Sequence, residues 1–312
     1  MSEPSSPVLR GRPARVGAAV VVLLAVAAYV AVQYATGGRP APRCVVVSAA
    51  HGQGAGARYT FTAEQAANAA TISAVGTSRG MPERAVTIAL ATALQESGLR
   101  NIHRGDRDSL GLFQQRPSEG WGRAEQIMDP VYAAERFYAH LDKIPGYSRL
   151  PLTVAAQRVQ RSGYPQAYAK HEPDATLLSA SLTGRAPATL TCEGRDGGER
   201  GGSAGRVRAA LVRDFGRDVA PAAGRDARSV RVPVPASVAS AQGGEEQRGW
   251  ELAQWAVANS SALRIERVSY AGREWTARET GNGWRKTPAA AGAGSAAAAA
   301  PSVDEVRIVT GQ

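Results

Sequence analysis

A chain of 312 residues with 44% hydrophobic residues can bury one large core or two ordinary ones. Its formal net charge of +10 points to anionic surroundings such as nucleic acid, phospholipid headgroups or cell-wall polymers. Two cysteines without a Cys-x-x-Cys, four histidines without a His-x-x-x-His and three methionines give no basis for a bound metal, and no cofactor is expected.

The leader, residues 1–15, is rich in Pro and Ser and is expected to lack a fold of its own. Residues 16–36 carry no charge and are mostly Val, Ala and Leu. As a helix rising about 1.5 Å per residue they would span roughly the 30 Å hydrocarbon core of a bilayer. Arg10, Arg12 and Arg15 stand just before them. The positive-inside rule then predicts a single-pass membrane anchor, with the N-terminus cytoplasmic and the rest extracytoplasmic. The alternative is a cleaved signal peptide, for which Val26-Ala27-Ala28 offers a small-x-small site in mid-segment. On either reading the remainder is exported, which argues against nucleic acid as a partner.

A short Gly/Pro spacer, residues 37–43, leads to Cys44. Cys44 and Cys192 bracket one coherent segment, and a bridge between them suits a compartment in which disulfides persist. Within it, Thr62-Ala63-Glu64-Gln65 is a capping box opening a helix that Gly80 can close. Pro82 suits the first turn of a second helix running to about Ser97, apolar nearly all round and so expected in the middle of a domain. Further helices are predicted at Asp129–Asp142, Thr153–Gln160 and Pro173–Leu182. This segment has 15 Lys/Arg against 12 Asp/Glu, so the basic character of the chain resides mainly elsewhere.

Residues 193–205 are Gly-rich and charged and read as a linker. Beyond them, residues 206–312 predict a helix (Val207–Phe215), a strand (Ser229–Val234), a helix (Trp250–Leu263) and a strand (Ile265–Tyr270). An Ala/Gly-rich loop at 288–301 then precedes a last strand, Glu305–Thr310. The pattern is that of a small α+β module. Leu252 and Trp255, at helical spacing, read as core residues.

The chemistry centres on Glu96. Glycosidic cleavage needs an acid that is still protonated near neutral pH. A glutamate leaving an apolar helix is partly desolvated, which raises a carboxyl pKa. The turn that follows, Arg104 to Ser109, contains Gly105, where a sugar ring could approach the backbone. Gln114 and Gln115 offer amide groups for N-acetyl and hydroxyl groups. Asp106 and Asp108 are candidates for a second carboxylate, although Asp beside Gly and Ser commonly caps a turn, and Arg104 and Arg107 stand close enough to pair with them. Trp121 and Tyr147 sit on loops, where each can stack on a sugar face or seal the core.

Glu96-Ser97 followed by Gly111-Leu112-Phe113-Gln114 resembles the Glu-Ser and Gly-Leu-Met-Gln motifs of the lysozyme-like lytic transglycosylases. Gly105 to Pro117 and Val159 to Ala169 are similar to actinobacterial wall proteins of that fold. The resemblance covers roughly 120 residues. It implies a mainly α lysozyme-like domain at 44–192, peptidoglycan as substrate, Glu96 as catalytic acid, and substrate contacts at Asp108, Ser109, Gln114, Gln115, Gln160 and Tyr168. The Ala-Tyr-Asn-Ala-Gly segment usual in that family is replaced by residues 160–169, so Tyr164 rivals Tyr168 as the cleft tyrosine. Gly249 to Asn259 and Ile265 to Trp275 resemble the end of domains related to peptidoglycan D,D-carboxypeptidases. No histidine follows His171, which excludes the zinc chemistry of those enzymes here.

The expected protein is therefore a mainly α lysozyme-like domain with a small C-terminal α+β module, held by one N-terminal transmembrane helix. Its expected activity is cleavage of peptidoglycan glycan strands. The rival readings are a catalytically inactive peptidoglycan-binding or scaffold protein, and a component of a cell-envelope assembly with a protein partner.

Overall fold

A computed structural model of the chain describes residues 19–29, 42–49, 56–161, 165–194, 201–234, 243–278, 283–287 and 303–312. The chain divides into two compact units, Met1–Ala41 and Pro42–Gln312. In the first, residues 19–29 form an exposed apolar helix, α1. Among the described residues no helix is long and apolar enough to cross a membrane, and the expected anchor over 16–36 is corrected accordingly. The single-pass topology inferred from that anchor falls with it. Residues 16–18 and 30–36 of the expected span, and the leader 1–15, lie outside the described residues.

In the second unit, α2 (Ala63–Ser78) opens on the capping box read from the sequence: Thr62 Oγ1 accepts from the Gln65 amide, and Gln65 Oε1 accepts from the Thr62 amide. The next helix, α3 (Glu83–Ser97), buries every residue from Ala85 to Leu94. It ends at Gly98, in the left-handed conformation. Helix-end carbonyls need partners, and α2 supplies them. Gln65 Nε2 donates to the Gly98 carbonyl at 2.7 Å and Asn68 Nδ2 to that of Leu99 at 2.8 Å. Around α3 pack α5 (Pro130–Leu141), α6 (Leu152–Gln160) and α7 (Glu172–Leu182), with the short α4 (Ala124–Ile127) leading into α5.

The sequence reading missed a three-stranded antiparallel sheet beside these helices, ordered β2-β1-β3: β1 (Arg43–Val47), β2 (Arg58–Thr62) and β3 (Leu190–Cys192). Cys44 lies directly opposite Cys192 across β1 and β3, and the two form a disulfide. The strands are of three to five residues, too short for alternation to show.

The C-terminal region is richer in strand. Its six-stranded antiparallel sheet runs β4-β5-β9-β6-β7-β8, with β4 (Ala222–Ala223), β5 (Ser229–Pro233), β6 (Ile265–Tyr270), β7 (Arg273–Thr276), β8 (Arg285–Lys286) and β9 (Glu305–Thr310). Val230, Val232, Val268, Tyr270, Val306 and Ile308 alternate inward, as one covered face requires. The covering helices are α8 (Ala204–Phe215), α9 (Gly244–Ala258) and α10 (Ser260–Leu263). About half of the described residues are helical, and the C-terminal region is sheet-rich. This corrects the mainly-α description. The predicted loop 288–301 and residues 195–200 of the predicted linker lie outside the described residues.

The helices of the C-terminal region meet α2 and α7 through a buried polar seam. Asp214 accepts from Thr71 Oγ1 at 3.0 Å and Trp255 Nε1 at 2.8 Å, and is paired with Arg213. Glu251 accepts from Thr77 and pairs with Arg248, and its burial pushes its carboxyl above the ordinary range. Gln254, fully buried, accepts from Ser181 Oγ, Thr189 N and Leu190 N and donates to the carbonyls of Ser181 and Ala186. Trp284 and Trp275 add bonds to Leu190 and Thr191 of β3. Leu252 and Trp255 are core residues.

Gln254→Leu strands the backbone N–H groups of Thr189 and Leu190 in a dry interior, where each orphan costs about 1–3 kcal/mol. Urea unfolding of the full chain is expected to show a loss of at least about 2 kcal/mol; a loss under about 1 kcal/mol would mean that water reaches the seam. The disulfide closes a sequence separation of 148 residues. Replacing both cysteines by Ala is expected to lower stability by up to about 4–5 kcal/mol in the same measurement, on the chain-entropy model.

Candidate active site

Glu96 occupies the last turn of α3, half-buried, where the helix emerges from its apolar surroundings. Its neighbour Ser97 is buried and ties the helix end to the segment that follows. Ser97 Oγ lies 2.8 Å from the Leu112 carbonyl oxygen, and it accepts from the Arg100 amide at 3.2 Å. Residues 110–115 form a tight loop closed by paired backbone bonds between Leu110 and Gln115. Gly111 has φ +74°, and a Cβ there would stand 2.8 Å from the Ile127 carbonyl oxygen, so a glycine is required. Leu112 and Phe113 turn fully inward, with Phe113 stacked on Phe137 at 4.7 Å between ring centroids.

Two more segments close on Glu96. Tyr168, in the 3-10 turn Pro165–His171, is fully buried and donates its hydroxyl to Glu96 Oε1 at 2.7 Å. Gln160, the last residue of α6, donates Nε2 to the Phe113 carbonyl at 2.7 Å and also hydrogen-bonds the Glu96 side chain. Burial raises the Glu96 carboxyl above its ordinary value, and the bonds from Tyr168 and Gln160 pull it partly back. The net result is a carboxyl whose protonated form is favoured beyond the usual range.

The other sequence-predicted contacts are placed differently. Asp108 is fixed in the loop: Arg116 Nε lies 2.8 Å from Oδ1 and the Ser118 amide 2.8 Å from Oδ2. The Ser118 amide leads in holding the Asp108 carboxyl down to about 2, with Ser118 Oγ and Arg116 adding to it. Its partner is thus Arg116, where Arg104 and Arg107 were expected. Ser109 is buried, its amide donating to the Asp106 carbonyl, while Asp106 itself is exposed. Gln115 is buried too, with Nε2 given to the Ala133 carbonyl; it holds the loop against α5. Gln114 Oε1 occupies the space in which a Cβ at Gly105 would sit, so the bare face of that glycine is filled by the protein's own amide. Trp121 packs against the His140 ring, and Tyr147 lies partly buried against the core. Tyr164 lies outside the described residues.

One pair escaped the sequence reading. His171 Nε2 lies 3.2 Å from Gln95 Oε1. In a 3-10 turn residues three apart share a face, so Tyr168 and His171 meet Glu96 and Gln95 in turn. That spacing was present in the sequence but carries meaning only once the turn is known to be 3-10.

Among comparisons with known proteins, residues 229–299 match the family described as VldE, C-terminal domain. No curated protein matches the chain. The matched stretch lies wholly in the C-terminal region, outside the segments that surround Glu96.

A carboxyl raised by folding binds a proton that the unfolded chain has already lost, between the ordinary carboxyl value and its own. Its contribution to stability therefore falls as pH rises through that window and stays low above it. Glu96→Gln is expected to keep the fold, and above the window its melting temperature should match or exceed that of the wild type. Thermal melts from pH 4 to 8 test this; a variant that fails to fold would mark Glu96 as a structural residue.

Proposed function

We propose that the protein cleaves peptidoglycan glycan strands, as a lytic transglycosylase or a muramidase, with Glu96 as general acid and then base. The observation that carries the proposal is the Glu96 carboxyl itself: half-buried at the end of an apolar helix, raised in pKa by desolvation, and held by Tyr168 at 2.7 Å. A carboxyl whose protonated form is favoured beyond the ordinary range suits donation to a glycosidic oxygen. The resemblance of Glu96-Ser97 and Gly111 to Gln114 to the lysozyme-like motifs supports the same assignment.

In this reading Glu96 gives its proton to the oxygen between N-acetylmuramic acid and N-acetylglucosamine, and the C–O bond breaks with charge developing on the ring. The resulting carboxylate, still held by Tyr168 and Gln160, takes a proton from the muramoyl 6-hydroxyl or from a water. Attack of that oxygen on the anomeric carbon yields a 1,6-anhydro product or a reducing end. Asp108 is bound to Arg116 and Ser118, and both proton transfers are assigned to Glu96.

Mass analysis of soluble muropeptides released from purified peptidoglycan by the full chain, beside Glu96→Gln, tests the proposal. Anhydromuropeptides from the wild type alone are expected for a transglycosylase and reducing-end products for a muramidase. A folded wild type that pellets with the wall and releases nothing would replace this reading with that of a peptidoglycan-binding or scaffold protein.

A further inference from the structure

We propose that Gln160 is a positioning residue for Glu96, its amide gripping the carboxyl with one N–H while the other is anchored on the Phe113 carbonyl. The inference rests on the reading of Glu96 as the catalytic acid and assigns Gln160 a task other than contact with the sugar.

The anchor is rigid. Phe113 is fully buried and stacked on Phe137, so its carbonyl cannot drift. Gln160 ends α6 immediately before Arg161, whose left-handed φ of 51° terminates the helix. Its predecessors Ala155, Ala156 and Val159 are locked in the core. The amide therefore reaches Glu96 from a fixed backbone on one side and a fixed acceptor on the other.

The orientation of the amide is fixed by the same contacts. Both groups it faces, a carbonyl and a carboxylate, are acceptors, so they require the NH2 end. Gln160 Oε1 is correspondingly buried with no hydrogen-bond partner among the described residues. A flipped amide would set oxygen against both acceptors.

This arrangement acts most strongly after the proton has left. A neutral carboxyl gains little from two donors, whereas the carboxylate gains a charge-assisted bond from each. Tyr168 and Gln160 approach from separate elements, the 3-10 turn and α6, and so fix the rotation of the carboxyl group. Its remaining lone pair is thereby aimed in one direction for the second proton transfer.

The test uses Gln160→Met, close in volume and without a donor, in the full chain. The Glu96 titration is followed by carboxyl carbon NMR, with Glu96→Gln identifying the resonance. The expected result is an upward shift of the Glu96 midpoint, with the alkaline limb of the pH–rate profile moving in the same direction. On soluble glycan strands kcat is expected to fall about tenfold or more with KM within about twofold. Should Gln160→Met fail to fold, Gln160→Leu removes the donor without adding a charge, with the same expectation. An unmoved Glu96 titration in a folded variant overturns the proposal, and a raised KM with unmoved titration assigns Gln160 to the substrate instead. A shifted titration in a protein whose wild type releases no fragments upholds the grip of Gln160 on Glu96 and overturns the catalytic reading alone.

Discussion

Everything about the candidate site depends on the burial of α3. A helix whose residues are covered from Ala85 to Leu94 must be surrounded on all faces, and the surrounding helices must then converge where it ends. Glu96 sits at that convergence, half-buried and with few ways to recover the solvation it loses. Two donors, from Tyr168 and Gln160, return part of it. The tension between desolvation and these two bonds gives the carboxyl its raised pKa. Neither bond can be moved without disturbing an element packed on α3.

The C-terminal region bears on the same helix indirectly. Asp214, Glu251 and Gln254 are each buried and each bonded to residues of α2, α7 or the segment just beyond α7. Buried polar groups of this kind fix register more than they add stability, because any displacement leaves a donor or acceptor without a partner. Ser179 of α7 meets Thr87 of α3 at 2.8 Å, and α7 follows directly on the 3-10 turn that carries Tyr168. A continuous path of packed elements thus runs from the seam to the phenol that holds Glu96. The disulfide between β1 and β3 closes the far side of the same segment.

What could be read from the sequence follows from how local each signal is. The capping box at Thr62 to Gln65 and the apolar run before Glu96 announced α2 and α3 with nearly correct bounds, because both are decided by neighbours in sequence. Ile265–Tyr270 and Glu305–Thr310 were legible from their alternation. Strands β1 to β3 were hidden because their pairing joins residues up to about 150 positions apart, over lengths too short for a period to appear. The apolar run at 16–36 matched a membrane span by composition, whereas among the described residues no helix is long and apolar enough to cross a membrane. At the site, Glu96, Gln160 and Tyr168 were named from the sequence and are brought together. Ser109 and Gln115 lie buried in the loop they help to build, a distinction that only tertiary packing can draw.

The loop 105–118 shows why motif residues and ligand contacts need not coincide. Gly111, Gln115 and Asp108 each solve a problem internal to the loop: a left-handed turn against Ile127, a bond to Ala133, and a charge shared with Arg116 and Ser118. A rigid loop of this kind presents the Phe113 carbonyl as a fixed point. Gln160 converts that fixed point into a constraint on the Glu96 carboxyl. The motif then contributes to the candidate site chiefly through geometry, by fixing the position of the Glu96 carboxyl. Under the proposed function, a single, tightly held carboxyl acting first as acid and then as base gains more from such fixity than one sharing the work with a second carboxylate, because both proton transfers have to start from the same place.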